Sequence, residues 1–287
     1  MFGKLFVGKF VGKSTSGVPI RFRRMRFDLG EEVPRYWFRG SPFLTHYFNA
    51  LSAAFPPGER FFIESVREFE HVADSDPVLK EQIREFSRQE GHHSHQHKLL
   101  NDLLTRHGLP VAECQKAVEE RVRVFKHKYS PLTRLAMTCG FEHFTALMSD
   151  WVLQQPERID AMHPKVGPLW FWHAVEETEH KAVAFDVYTA AGGTYARRAL
   201  SMLVATLEFI PRTHQMQWGL MRADPEAFDV VDVVQGLWFL YGKGGLMSSL
   251  TPEYLRYFRP DFHPWQHDNS ALIAKWVETF ADEQAAA

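Results

Sequence analysis

Two short words in the chain carry most of its chemical information: Glu90-Gly91-His92-His93 and Glu177-Thr178-Glu179-His180. Each places a glutamate three residues before a histidine. On an α-helix such residues share a face, so each word can aim a carboxylate and an imidazole at one metal ion. A single Glu-x-x-His step is more often a structural hydrogen-bonded pair. Two such steps, each preceded by a helical segment with its own well-placed glutamate, form the ligand pattern of a two-metal site inside a four-helix bundle.

The stripes around these words support that reading. In the segment opened by Pro77, the apolar line Leu79, Ile83, Phe86 continues through Glu90, His93 and His97 to Leu100 and Leu104. The steps are three and four throughout, so the polar residues lie inside the core-facing stripe. The segment from Leu169 repeats the pattern with His173, Glu177, His180, Ala184 and Val187. The segment from Pro131 offers Leu135, Cys139, Glu142 and Ala146, where Glu142 is the lone charge. Burying ionised carboxylates costs several kcal/mol each unless they are paired or bound to a cation.

The first helical segment offers Glu59 or Glu64. Glu59 shares a face with Phe62, Val66 and Phe69, whereas Glu64 lies with Arg60, Arg67, Glu68 and His71 on a face of solvent character. Chain reversals near residues 75 and 160 place Glu59 level with the Glu90/His93 step and Glu142 level with Glu177 and His180. The candidate metal ligands are therefore Glu59, Glu90, His93, Glu142, His173, Glu177 and His180. His97 is an extra ligand, an outer partner or a core histidine. Glu176 and Glu179 fall off the stripe, as surface or outer groups, and His92 and His95 fall on the exposed side. Cys139 reads as a small core residue, and His263 and His267 as structural groups flanking Trp265.

The elements that must position these residues are helical. Residues 1–41 carry turn signals and the alternating run Met25–Leu29, which fits a strand or an extended arm. Helices are predicted over about 43–55, from Pro56 to about 73, from Pro77 to about His107, over about 111–127, from Pro131 to about Gln155, and over about 169–191. Beyond Gly192-Gly193 come an amphipathic helix over about 195–221, a short one around 230–241 and an aromatic tail. The organisation is an arm (1–41), a four-helix bundle carrying the dinuclear site (42–193) and a helical extension packed on it (194–287), in one mostly helical, all-α domain.

Composition narrows the setting. The 287 residues carry a formal charge of -2, which gives no electrostatic case for nucleic acid or an anionic membrane. Two cysteines suit a reducing compartment. The N-terminus is interrupted by Lys4, Lys9 and Lys13 and lacks the unbroken apolar run of a signal peptide. The apolar stretch Ala199–Pro211 contains Glu208 and is shorter than a spanning helix requires. The expectation is a cytoplasmic protein with no transmembrane segment. Leu200, Leu203, Val204, Leu207 and Ile210, with the aromatic tail, read first as packing against the bundle; the other readings are an apolar substrate tunnel or a peripheral surface for lipid.

The chain resembles the ferritin-like di-iron carboxylate superfamily, and within it the bacterial family of predicted metal-dependent hydrolases. The resemblance rests on residues 55–62, 89–97, 142–145, 172–182 and 262–268, and extends from about Val18 to Trp276. In spacing alone, His173-x-x-x-Glu177-x-x-His180 also resembles the p-aminobenzoate N-oxygenases, which carry an extra histidine one turn before the last Glu-x-x-His. These resemblances imply a ferritin-like bundle holding two iron ions, with manganese or zinc as other occupants. One ion would take Glu59, Glu90 and His93. The other would take Glu177, His180 and His173, with Glu90 and Glu142 between them. They further imply an oxygenase or oxidase that uses O2 on a small apolar or aromatic molecule. The alternatives are a dinuclear-metal hydrolase and non-catalytic iron binding or ferroxidase activity. The arm and the long C-terminal extension fit a substrate pocket or lid better than a storage shell.

Overall fold

The computed structural model describes residues 18–158 and 160–277. Every regular element among them is helical, and the chain is all-α. The lysine-interrupted N-terminus, most of the turn-rich stretch from Ser14 and the last ten residues of the proposed C-terminal extension lie outside the described residues.

Helix α1 spans Pro42–Arg67. Ser41 Oγ accepts the Leu44 N–H at 3.1 Å and Pro42 sits in the first turn, where it forfeits no helical bond. The sequence predicts two helices meeting at Pro56; the structure has one. Pro56 has no N–H, so the carbonyl of Ser52, four residues earlier, loses its helical partner. Asn101 from the next helix donates its Nδ2–H to that carbonyl at 2.9 Å. The bond supplies from outside what Pro56 removes; Pro57 likewise takes the helical N–H from the Ala53 carbonyl, and the helix still continues.

Helix α2 (Pro77–Arg106) opens on Asp76, whose carboxylate accepts the N–H groups of Val78 and Leu79, each at 3.0 Å. It ends before Gly108, which takes a positive φ of 83° open to glycine at little cost. Helix α3 (Val111–Lys128) packs on α1, and α4 spans Pro131–Gln154 behind the Ser130 cap. The helix predicted from Leu169 to Ala191 is divided into α5 (Gly167–His180) and α6 (Val183–Ala190). No proline or glycine marks that break. Lys181 sits at it, and its ammonium reaches the carbonyl of His267 and Asn269 Oδ1, each at 2.7 Å. A tertiary clamp on the C-terminal segment therefore holds the interruption. Helices α7 (Tyr195–Ala223), α8 (Val230–Tyr241) and α9 (Leu246–Arg256) follow; the sequence predicts the first two and reads the third only as part of a tail.

Residues 18–41 form no strand. Their sole ladder contact among the described residues is an isolated antiparallel bridge between Phe38 and Met162. Side chains of α2 hold this arm instead: Gln89 donates to Arg21 O at 3.1 Å, and Gln96 to Met25 O at 3.2 Å.

Cross-helix contacts fix the helix directions. Ser52 meets Asn101 while Glu59 meets Ser94, so α1 and α2 run antiparallel. His97 meets His173 while Gln89 meets His180, so α2 and α5 also run antiparallel. Two apolar clusters fill the ends of this assembly. One joins Leu51 and Phe55 with Leu100, Leu147 and Trp170. The other joins Phe61 and Val66 with Phe86, Cys139 and Val183. On each of the four helices the chemically interesting residues fall between the two clusters, so apolar packing closes a polar layer from both ends.

Helix α7 packs against α1 and α4, but not through all its leucines. Leu200, Leu203 and Leu207 are exposed, as are Trp238 and Tyr241 of α8, contrary to the expectation of packing against the bundle. Cys139 is a buried core residue. His263 and His267 bond Asp186 and Asp150 at 2.9 and 3.1 Å. No described helix is long and apolar enough to cross a membrane.

Candidate metal centre

The structure brings all seven candidate ligands into the polar layer, in two groups. Glu59, His93 and His173 form one; Glu90, Glu142, Glu177 and His180 form the other. All seven are buried. Glu64 is exposed and pairs with Lys126 on α3, away from the centre.

The grouping differs from the one the sequence implies, and helix direction is the reason. The sequence assigns both members of a Glu-x-x-His step to one ion. Because α2 and α5 are antiparallel, the glutamate of each step lies level with the histidine of the other. Glu90 Oε1 is 3.0 Å from His180 Nε2, and Glu177 Oε1 is 3.6 Å from His93 Nδ1. His173 accordingly joins Glu59 and His93. Glu177 also touches both groups: its Oε1 is 3.0 Å from His173 Nε2 and 3.5 Å from His180 Nε2. Glu142 faces His180 at 3.5 Å.

The inner surfaces of these residues lack protein partners. Both oxygens of Glu90 and of Glu142, Glu59 Oε1, Glu177 Oε2, His93 Nδ1 and His180 Nε2 are buried without a hydrogen bond. Such atoms in a protein interior call for an explanation, and a cation is the one that suits acceptors facing acceptors. When ionised, the carboxylates of Glu59, Glu90, Glu142 and Glu177 match the charge of two divalent ions. Oxygen and imidazole donors with no thiolate among them suit iron, manganese or zinc. The residues present therefore fit a dinuclear centre.

The outer atoms, by contrast, are satisfied. His93 Nε2 meets Glu176 at 3.1 Å, His180 Nδ1 meets Gln89 Oε1 at 3.0 Å, and His173 Nδ1 meets His97 Nε2 at 2.7 Å. His97 is in turn tied to Ser52 at 3.0 Å, and Ser52 donates to Asn101 at 2.8 Å. Ser94 donates to Glu59 Oε2 at 2.7 Å. Each imidazole is thus held by one nitrogen while the other faces the centre, as metal-ligating histidines are usually held. His97 belongs to this outer set, outside both groups.

Glu176 and Glu179 are buried, not surface residues. Arg23 from the arm pairs with both, at 3.3 and 2.6 Å. The sequence held one signal for this. Helix α5 is flanked by Trp170, Phe171, Trp172, Ala174 and Val175, apolar on every face, so no face of it could be solvated. Arg23 carried no such signal, because the arm has no periodicity. His92 is half-buried, with Nε2 2.9 Å from the Met25 carbonyl, while His95 is exposed.

Protonation follows burial and crowding. Burial, then neighbouring carboxylates, hold Glu59, Glu90 and Glu142 well above the ordinary glutamate value. Burial and then His173 push His93 and His97 well below the ordinary histidine value. Glu177 goes the other way: burial opposes its ionisation, but His180 and the His173 hydrogen bond outweigh it. His180 is raised to about 9, with burial opposing and Glu177 the largest raising influence. Burial raises Glu176 to about 8 against the opposing pull of Arg23.

Residues 21–268 match the family described as predicted metal-dependent hydrolase. The chain belongs to this family. The match covers the arm from Arg21 onward, all the helices that carry the polar layer and the C-terminal segment as far as Asp268. No curated protein and no solved structure shows a match to the chain. As a member of the metal-dependent hydrolase family, it places the two His/Glu groups where a metal requirement would be met.

Proposed function

We propose that the chain is a dinuclear-metal hydrolase whose ions are held by Glu59, His93 and His173 on one side and Glu90, Glu142, Glu177 and His180 on the other. The observation that carries this reading is the asymmetry of the site: every imidazole has a partnered outer nitrogen, while the atoms facing inward include eight buried polar atoms without hydrogen-bond partners. The family description supports hydrolysis over other uses of the centre. The four helices that carry these residues are proposed to form a bundle of the ferritin-like type, as the antiparallel pairing of α1 with α2 and of α2 with α5 suggests.

Two divalent ions bound here would supply Lewis acidity and make water a better nucleophile near neutral pH. The chain's own residues prepare the site for them. Donation of the Nε2–H of His93 to Glu176 leaves the Nδ1 lone pair facing inward. Gln89 Oε1 accepts the Nδ1–H of His180 and leaves Nε2 facing inward. His97 orients His173 from behind. Ser94 holds one oxygen of Glu59 and leaves the other free. Phe55 packs on both His97 and His173, with ring centroids 4.8 Å from each, and keeps that side of the layer dry. A small cavity of about 40 Å³, lined by Phe55, Met148, Trp170, His173 and Glu177, leaves an apolar space beside the centre.

That apolar lining also favours a second reading, O2-dependent oxidation of an apolar substrate by two ferrous ions. One experiment separates the two. The metal-free chain is loaded with Zn(II) or Mn(II) and assayed against a panel of carboxylate and phosphate esters; a parallel sample is loaded anaerobically with Fe(II) and mixed with O2. Hydrolysis supported by Zn(II) or Mn(II), with about two ions per chain, is the expected result. A transient visible band after O2, with no ester cleaved under any metal, would replace the hydrolase with the oxygenase. Failure to bind any of these ions would remove both.

A further inference from the structure

A second cleft reaches the centre from the opposite side of Phe55. It lies between α1, α3, α4 and α7, opens to solvent and has a volume of about 100 Å³. Its walls are apolar: Phe61, Phe62, Val122, Phe125, Phe141 and Phe209. At its inner end is Glu59, 2 % exposed, whose Oε1 has no hydrogen-bond partner. Phe55 and Thr145 line both this cleft and the cavity beside His173 and Glu177, so the two spaces abut across those side chains.

The rim of the cleft is charged. Arg121 grips the Glu208 carboxylate with its Nε, at 2.7 Å, and with its Nη2. Arg212 Nε reaches the same carboxylate at 2.6 Å. Two guanidinium groups thus share one carboxylate, which leaves one net positive charge at the mouth. The Nη groups of Arg212 make no hydrogen bond among the described residues, and that side chain is 42 % exposed. An apolar slot with a cationic rim and a buried, unpartnered carboxylate at its floor is complementary to one kind of molecule.

We propose that this cleft is the substrate entrance and that it takes a carboxylate with an extended apolar tail. The head stays at Arg121 and Arg212, and the tail runs inward past Phe62 and Phe125 to the centre at Glu59. The group to be transformed therefore lies toward the end of the molecule remote from its head. This inference rests on the metal-centre reading above, which makes Glu59 part of the reacting site.

Gly58 gives a clean way to test it. A Cβ there would meet only Phe62 Cζ, at 4.0 Å, so a larger side chain projects into the cleft. Gly58 lies inside α1, where replacing glycine also favours the helix. Binding is measured on the full, metal-free chain with the fluorescent polyene cis-parinarate, displaced by decanoate or by 1-decanol. Decanoate is expected to compete at roughly tenfold lower concentration than 1-decanol, since the head adds a charged contact. The double variant Arg121→Gln/Arg212→Gln should erase that preference and leave 1-decanol unchanged. Gly58→Leu should abolish both, with an unchanged or raised melting temperature; Val122→Trp, on the opposite wall, serves the same purpose should Gly58→Leu fail to fold. Equal competition by decanoate and 1-decanol in the unmodified chain, or undiminished cis-parinarate binding in a folded blocked variant, overturns the proposal. Because no metal or turnover is involved, either result leaves the hydrolase reading to its own test, and a metal-binding failure would not by itself alter these displacement curves.

Discussion

Replacing Glu142 by Met should stabilise the metal-free chain and weaken the metal-loaded one. Glu142 is 1 % exposed, and both its carboxyl oxygens lack a hydrogen bond. Burial, with Glu90 the next influence, holds its carboxyl well above the ordinary glutamate value when no cation is present. A buried polar group without partners costs about 1–3 kcal/mol, and methionine has nearly the same length with no such group. Removing that cost should raise the metal-free melting temperature by roughly 2–5 °C, at somewhat under 2 °C per kcal/mol for a chain of this size. With Zn(II) or Mn(II) present the sign reverses. The unmodified chain gains the free energy of binding two ions, whereas the variant lacks a ligand in the Glu90–Glu142–Glu177–His180 group and should hold closer to one. Thermal melts with and without chelator, together with metal analysis, read both effects. A variant that melts lower than the parent in chelator, or that still retains two ions per chain, refutes the idea that Glu142 is kept for a cation at a cost to the fold.

Three further outcomes are expected. Glu59→Ala should roughly halve the metal content measured by elemental analysis, whereas Glu64→Ala, at the Lys126 pair, should leave it unchanged. Metal-free stability should fall as pH rises above 6.5: Glu59, Glu90, Glu142 and His180 all have raised pKa values, so the folded chain there holds protons the unfolded chain has lost. Each retained proton contributes about 1.4 kcal/mol per pH unit to that fall, and bound metal, by displacing those protons, should flatten or invert it in melts from pH 6.5 to 8.5. Asn101→Leu should strip the partner from the Ser52 carbonyl opposite Pro56 and cost roughly 1–3 kcal/mol in chemical denaturation, while His97→Phe should lower metal affinity by about 10–100-fold in chelator competition, because His173 loses the contact that orients it.

Much of the polar layer was legible because helical periodicity is a local property. Glu90, His93, Glu142, Glu177 and His180 interrupt apolar stripes at steps of three and four, and such an interruption needs no tertiary information to be noticed. Glu59 could be chosen over Glu64 from the company each keeps on its helix face. At Pro56 and at Lys181 the local pattern and the structure part for a common reason. A proline normally ends a helix unless some distant group takes up the freed carbonyl, and Asn101 does so here. A helix without proline or glycine normally continues unless something distant pulls it apart, and at Lys181 the C-terminal segment does.

The sequence by itself determined that the chain is all-helical and which residues stand in its core-facing stripes, since both follow from the 3.6-residue repeat of a single helix. Only the tertiary structure decided how those residues combine. The antiparallel run of α2 and α5 sets Glu90 beside His180 and His93 beside Glu177. It brings Glu176 and Glu179 inside against Arg23 of an arm that has no periodicity to announce it, and it makes His97 a support for His173. Which residues share a face is fixed by spacing along one helix, but which residues share an ion is fixed by the direction and register between helices, and those are set by long-range packing that no single stretch of sequence contains.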